Sequence, residues 1–278
     1  MKHILSCSLI LLIVTQQLAL ADHKPLWELH AGIATLQVPH YRGSEAEHSF
    51  AIPFPGVIYR GEKLKASEDG VRGLLFSSER NLLDISFGMG LPASSDENDA
   101  RHGMPKLETS LEVGPSFVSR LWQSEQGNTG IWLNAPLRMA FSFDDFDIKD
   151  QGLIFSPYLH WRHKQNQWKW GIALGLSYAD ENYHNYFYEV DQRYATPTRP
   201  EYHPSSGYSG ERVTLSVTKH FKKSWLAVFM RYENLSNAVF KNSPLVETET
   251  YQVFGLVYTH LITESKQRSH HSEHIEFD

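Results

Sequence analysis

Residues 168–180 read WKWGIALGLSYAD. Trp168, Trp170, Ile172, Leu174, Leu176 and Tyr178 are large and apolar, while Lys169, Gly171, Ala173, Gly175 and Ser177 between them are small or polar. A period of two puts the two sets on opposite faces of a β-strand. The pattern recurs along the chain. Leu83, Ile85, Phe87, Met89 and Leu91 alternate with Asp84, Ser86, Gly88 and Gly90. Leu107, Thr109, Leu111 and Val113 alternate with Glu108, Ser110 and Glu112. The odd residues from Ile131 to Phe141 oppose a face carrying Asn134 and Arg138, and Val213, Leu215 and Val217 oppose Arg212, Thr214, Ser216 and Thr218. Phe155, Leu159 and Trp161 oppose Ser156, His160 and Arg162. Weaker segments at 27–38, 49–54, 56–62, 70–77, 225–232 and 247–261 complete about twelve strands. The second and third of these are divided by a turn at Pro53-Phe54-Pro55-Gly56. No useful stretch carries a helical period.

The connections alternate in length. PFPG, SSERN, QSEQGNTG, KQNQ and FKKS are short. HYRGSEAEH, the stretch around residues 65–69, PASSDENDARHG, DDFDIKDQ, residues 179–208 and ENLSNAVFKNSP are long. Short turns at one end and long loops at the other predict a transmembrane antiparallel β-barrel of the outer membrane. It has twelve strands, short periplasmic turns, long extracellular loops and both termini in the periplasm.

The face opposite the apolar residues decides between lipid and a protein core outside or inside the barrel. A soluble barrel turns its apolar face inward and charges its outer face densely. Here the other face is mostly Gly, Ala, Ser and Thr, with single charges at Asp84, Glu108, Glu112, Arg138, Arg162 and Arg212. That mixture suits a narrow polar lumen whose charges pair with one another. Trp161, Trp168, Trp170, Tyr178, Trp225 and Tyr258 are the candidates for aromatic girdles at the membrane interfaces. A secreted lipocalin-like barrel has the same strand period and stays as the alternative.

The ends of the chain agree with export. MKHILSCSLILLIVTQQLALAD has a basic start, an apolar run and a closing Ala19-Leu20-Ala21, which predicts a signal peptide over residues 1–21 cut after Ala21. The competing lipoprotein reading of Leu5-Ser6-Cys7 is weak because most of the apolar run follows Cys7. Cys7 is the only cysteine, so the mature chain forms no internal disulfide. The barrel is assigned to residues 22–261 and a polar, His-rich, disordered periplasmic tail to 262–278. Mean hydropathy is negative, and nothing after the leader reaches the ~18 consecutive apolar residues of a spanning helix. A formal charge of −6 without a basic stripe excludes a nucleic-acid binder.

Several strings carry a family resemblance. They are Tyr41-Arg42-Gly43-Ser44, the run from Pro53 to Gly61, Gly103-Met104 with Leu107, and Glu112-Val113-Gly114-Pro115. In the second half they are Tyr183-His184-Asn185-Tyr186-Phe187, Arg199-Pro200-Glu201-Tyr202 before Gly207, Tyr232-Glu233-Asn234-Leu235, and Ser243-Pro244-Leu245-Val246. In order and spacing, over nearly the whole mature chain, they resemble the MltA-interacting protein (MipA)/OmpV family of outer-membrane proteins. The resemblance implies a non-enzymatic barrel in contact with outer-membrane lipid and lipopolysaccharide. It implies a scaffold between a lytic transglycosylase and a peptidoglycan synthase, or else an adhesin or immunogenic surface protein. One departure is His260, which stands where the family's last strand ends on an aromatic.

Chemistry inside the barrel is weighed against plain lumen filling. Ser156 and His160 share a strand face, but four residues of strand span ~13 Å, too far for a serine–histidine hydrogen bond. Neither Gly-x-Ser-x-Gly nor His-Glu-x-x-His occurs. A lipid hydrolase or small porin is therefore a minor alternative, and neither a catalytic residue nor a cofactor is assigned. His270, His271 and His274, with Glu273 and Glu276, are weak metal candidates because no scaffold fixes them. Asp144, Asp145, Asp147 and Asp150 lack the glycine and distal glutamate of a calcium loop. The long run from Glu181 to Tyr202, dense in Tyr, Asn and Arg, suits either contact with proteins or sugars, or folding over the barrel mouth.

Overall fold

The computed structural model describes residues 24–67, 70–144 and 147–269. It contains β1 (Trp27–Pro39), β2 (Glu47–Arg60), β3 (Leu64–Ser67), β4 (Gly70–Ser77), β5 (Asn81–Gly90), β6 (Ser110–Gln123) and β7 (Thr129–Asp144). These are followed by β8 (Asp147–Phe155), β9 (Tyr158–Gln165), β10 (Trp168–Ala179), helix α1 (Glu181–Tyr188), β11 (Gly207–His220), β12 (Ser224–Asn234) and β13 (Thr250–Glu264). All pairings are antiparallel and join chain neighbours except β7–β9, β8–β10 and the closing pair, in which β13 meets β1 from Glu264↔Glu28 to Phe254↔Gln37. The sheet is thus closed into a barrel, in which most backbone groups find partners when it stands in lipid.

Segments β8 and β9 form one stave. Both lie between β7 and β10, β8 in the outer half and β9 in the inner half. Pro157 has no N–H to continue the ladder, and the neighbouring Ser156 N–H is caught by the Pro136 carbonyl at 3.1 Å. Counted this way the barrel has twelve staves, as the alternation predicts.

The second hairpin differs from expectation. Pro53-Phe54-Pro55-Gly56 is not a turn. It lies inside β2, in continuous register with Ile33, Gly32, Ala31 and His30 of β1. Prolines are tolerated in a strand where their missing N–H faces an open edge, and β2 has such an edge. The turn falls instead at Gly61-Glu62-Lys63, and the third strand is Leu64–Ser67, where a loop was expected. DDFDIKDQ is likewise not a long loop: β7 runs to Asp144 and β8 begins at Asp147, with these two residues cross-strand partners. Two of the six outer connections are therefore tight, and the long ones are 40–46, 91–109, 180–206 and 235–249. At the other end, the boundary placed at Leu261 lies inside β13, and His260 shares the outer face with Tyr258 and bonds Ser224 Oγ at 2.8 Å. Residues 265–269 then run beside 24–27 through Leu26 N–H to the Gln267 carbonyl and Ser269 N–H to the Lys24 carbonyl, both 2.9 Å.

The apolar set points outward. Leu174 is 53% exposed and Trp170 44%, whereas Gly171, Gly175 and Ser177 are buried. Inside, Leu82, Val118 and Trp132, with Leu74 against them, make an apolar cluster on the inner face of β4 to β7, toward their periplasmic ends. A larger cluster including Tyr41, Met104, Leu107, Tyr188, Val190, Leu235, Phe240 and Leu245 joins the four long outer loops above the lumen.

Candidate functional site: a lumen chamber under a loop cap

The cap is built around α1. Asp180 is its N-cap, accepting from Tyr183 N–H at 2.9 Å. Gly152 of β8 has φ +97, and a side chain there would meet Asp180 and Tyr183, so this glycine lets the start of α1 lie on the barrel rim. The helix buries Tyr183, His184 and Tyr188. Tyr188 stacks on Phe240 at 3.7 Å between centroids, and its hydroxyl donates to the Arg42 carbonyl at 3.0 Å. Tyr41 donates to the Leu245 carbonyl at 2.8 Å, Arg101 to the Phe187 carbonyl at 2.9 Å, and Arg199 to the Ala100 carbonyl at 2.9 Å. The run from Glu181 to Tyr202 therefore folds over the mouth and buries its own aromatics.

Electrostatics in the cap follow from burial. Burial works against the charge of Arg42, but the Glu233 carboxylate at 2.8 Å outweighs it and raises the guanidinium pKa. Arg42 also donates to the Ser209 carbonyl at 2.6 Å. Burial lowers the pKa of Arg101 and raises those of Tyr41 and Tyr188.

His184 is held neutral. Its Nδ1 contacts the Ser205 carbonyl at 2.7 Å and its Nε2 contacts Ser209 Oγ at 2.6 Å, a pair matched by one donor and one acceptor on the ring. Burial lowers its pKa, helped by Arg42 and opposed by the Ser205 bond and Asp180. An imidazole freed from the cap takes a proton near pH 6.5, whereas the packed one does not. The stability that His184 gives the cap is thus complete above about pH 6.5 and falls as pH drops toward the depressed value. The amide-exchange protection factors in residues 180–206, corrected for the pH dependence of intrinsic exchange, should fall between about pH 7 and pH 5, and His184→Gln should flatten that dependence.

Below the cap lies a chamber of about 690 Å³. Besides Arg42–Glu233, its ion pairs include Arg72–Asp84 at 3.3 Å and Arg138–Glu112 at 3.4 Å, and Tyr183 donates to the second Glu112 oxygen at 3.0 Å. Of the six charges read from sequence, Arg138 and Glu112 pair with each other. Asp84 is fully buried against Arg72. Glu108 sits at the mouth with Lys106 at 2.9 Å. Arg162 donates to His160 Nδ1 at 3.1 Å and stacks over Trp132, and Arg212 lies over the Tyr158 ring. Arg42, Arg72, Arg231 and Glu233 complete the charged lining and were missed. The signal for Arg231 and Glu233 was present, since they alternate with Tyr232; Arg42 lies in a loop, where no period marks it.

Trp161, Trp168, Trp170, Tyr178 and Tyr258 stand on the outer wall. Trp225 does not. It has the parity of Phe229, Arg231 and Glu233 and so turns inward, its indole nitrogen buried. The error arises because Ser224 starts the strand one residue from the turn, which sets the phase. Trp27 and Trp122, 39% and 51% exposed at inner strand ends, are outward aromatics absent from the sequence-based set. His270, His271 and His274 lie outside the described residues, as does Asp145. Asp144 and Asp147 face Lys149 at 3.3 and 3.9 Å, and Asp150 accepts from Gly152 N–H at 2.8 Å. Among the described residues no group of His, Cys, Asp and Glu is placed to hold a metal ion.

A closed barrel with an apolar outer wall, a polar lumen and a cap of interlocked outer loops defines an integral outer-membrane β-barrel protein. The sequence model of the MltA-interacting protein MipA family matches residues 31–260, and the chain belongs to that family. It is 21% identical over 209 residues to outer membrane protein Omp26La of Vibrio anguillarum, covering 71% of this chain and 73% of that protein. Among solved structures it is similar to a bacterial polysaccharide outer membrane secretin, with a TM-score of 0.45 and 10% identity over 87% of this chain and 100% of that one. It is also similar to OprG from Pseudomonas aeruginosa, with a TM-score of 0.22 and 10% identity over 86% and 95% of the two chains.

Proposed function

We propose that this protein is a non-enzymatic scaffold, exported by a signal peptide cut after Ala21, that holds a lytic transglycosylase and a peptidoglycan synthase at the periplasmic side of the outer membrane. Membership in a family named for interaction with MltA supports the reading. The observation that carries it furthest is the pairing of the segment before β1 with the segment after β13. Residues 24–27 and 265–269 bind each other beside the barrel's inner rim, so the segment from residue 270 onward starts from a fixed point.

A stable protein interface takes roughly 800 Å² from each partner. The inner turns are small and carry Arg80, Lys164, Lys222 and Lys223, a marginal platform by themselves. A tail that orders on binding supplies further area. The test is crosslinking in intact cells, comparing the full chain with one ending at Ser269, which leaves β13 and the paired segments whole. The scaffold reading expects lytic transglycosylase and peptidoglycan synthase among the captured proteins, with weaker capture by the shortened chain. Capture of external ligands alone, through residues 179–208, supports the adhesin and ends the scaffold reading. Esterase activity in the pure protein would end both.

A further inference from the structure

The barrel wall is incomplete on its outer side. β2 has 14 residues and β4 eight, but β3 between them has only four. β3 meets β2 only at Tyr59 and Arg60, and β4 meets β5 no further out than Ser86. Ser67 and Gly70 are already cross-strand partners at the hairpin tip, so two residues are all the chain available beyond them. Among the described residues, 47–58 of β2 therefore have a strand neighbour only on the β1 side, and 87–90 of β5 only on the β6 side. At 3.3 Å per residue the bare edge of β2 is roughly 40 Å long.

Burial records the same gap. Ile52 has the parity of Phe54 and Gly56 and opposes inward-facing Ala34, yet it is 50% exposed. Met89, on the facing rim, belongs to the outward set of β5 and is 72% exposed, as a lipid-facing side chain is, so the gap itself shows at Ile52. The lumen chamber reaches this opening, for Gly88, Met89 and Gly90 line it from β5 and Leu36 and Val38 from β1. Above the gap, Asn98 donates to Ser44 Oγ at 2.9 Å and joins the 91–109 loop to the 40–46 loop. Under the cap, the chamber thus opens sideways between β2 and β5, toward the outer half of the membrane.

We propose that this window admits a phosphate-bearing lipid of the outer leaflet, its head in the arginine-lined chamber and its acyl chains across the rim. This inference does not depend on the scaffold reading. Charge supports the head group. Six arginines line the chamber against three glutamates, and counting Asp84 behind Arg72 as a fourth acid still leaves an excess of two positive charges. Arg212, Arg231 and Ser216 stand on one wall, from adjacent strands, where guanidinium groups can hold phosphate oxygens in paired hydrogen bonds. A volume of about 690 Å³ is that of an ordinary ligand pocket. The rim is apolar at Ile52, Val57, Phe87 and Met89, each at least 45% exposed, which matches acyl chains. A strand added to the β2 edge, from a second copy or a peptide, is disfavoured because Pro53 and Pro55 offer no N–H there.

The experiment is native mass spectrometry of the mature full-length protein in mild detergent. It compares bisphosphorylated lipid A with lipid A stripped of both phosphates, and adds inorganic phosphate as a separate probe. We expect the phosphorylated lipid to be retained about tenfold better than the stripped one, a preference on the scale of one or two charge-assisted hydrogen bonds. Arg212→Gln should remove most of that preference and Arg212→Lys should keep part of it. Ile52→Trp and Met89→Trp, which narrow the window from the rim, should lower lipid retention while leaving heat-modifiability on gels unchanged. Equal retention of both lipids overturns the proposal. So does inorganic phosphate binding that competes with no lipid and ignores both rim variants, which would make the chamber a site for free anions. Dimers crosslinked through β2 would assign the window to a second copy and equally overturn it.

Discussion

Arg42→Ala should unlock the loop cap. Arg42 reaches from the first outer loop to Glu233 on β12 and to the Ser209 carbonyl on β11, and its own carbonyl receives the Tyr188 hydroxyl. The side chain thus ties the first outer loop to β11 and β12, while the Tyr188 contact is made by the backbone. The Glu233 side chain is only 5% exposed, and its other cation, Arg231, is 3.8 Å away. Removing one partner of a buried pair strands the other charge, at a cost of about 3–5 kcal/mol. The remaining Arg231 contact and the partial exposure of Arg42 place this case at about 3 kcal/mol. Limited proteolysis within residues 180–206 as a function of urea should show the loss, and planar-bilayer conductance should rise from near zero as the mouth opens. Arg42→Met combined with Glu233→Leu should recover much of the protection, because no charge is left buried. Wild-type protection in Arg42→Ala would mean that the aromatic packing of Tyr188 on Phe240 holds the cap by itself.

A charge on the outer wall is the second large effect. Leu174 lies midway along β10, its side chain pointing away from the lumen and 53% exposed. Leu174→Arg should destabilise the barrel by about 2–4 kcal/mol in a bilayer, the cost of an arginine near the membrane midplane on a barrel's lipid face. Ala173→Ser, one residue away on the polar lumen face, should stay within about 0.5 kcal/mol. Equilibrium folding into liposomes measures both. Equal, small effects would put the apolar face somewhere other than lipid.

The barrel was legible because its signal is local. Alternation along 168–178 reports the two faces without knowledge of any other strand, and the closed sheet adds mostly pairings between chain neighbours. Errors arose where one residue type has two meanings. Pro53 and Pro55 read as a turn, yet they lie on the edge of β2 that has no partner strand. Trp225 reads as an interfacial aromatic, but one residue of phase from the turn moves it inside. The cap was legible only as strings. Tyr41-Arg42, Tyr183 to Phe187, Arg199 to Tyr202, Tyr232 to Leu235 and Ser243 to Val246 come together there, for example through Tyr41 to the Leu245 carbonyl and Arg42 to Glu233. Their contacts span up to 204 residues of sequence, and no local period reports such pairs. The window was invisible for the same reason, since it follows from the shortness of β3 relative to strands on either side.

The orientation of β10 tests the account most directly. The chain's only cysteine is Cys7, in the proposed leader, so single cysteines at 172, 173, 174, 176 and 177 of the mature protein can each carry a spin label without interference. The protein is reconstituted in liposomes and relaxation is compared between oxygen, which concentrates in lipid, and a water-soluble nickel complex. The account predicts strong oxygen relaxation at 172, 174 and 176 and little at 173 and 177, a strict period of two. The reverse phase, or the same accessibility at all five positions, would contradict an apolar face turned to lipid.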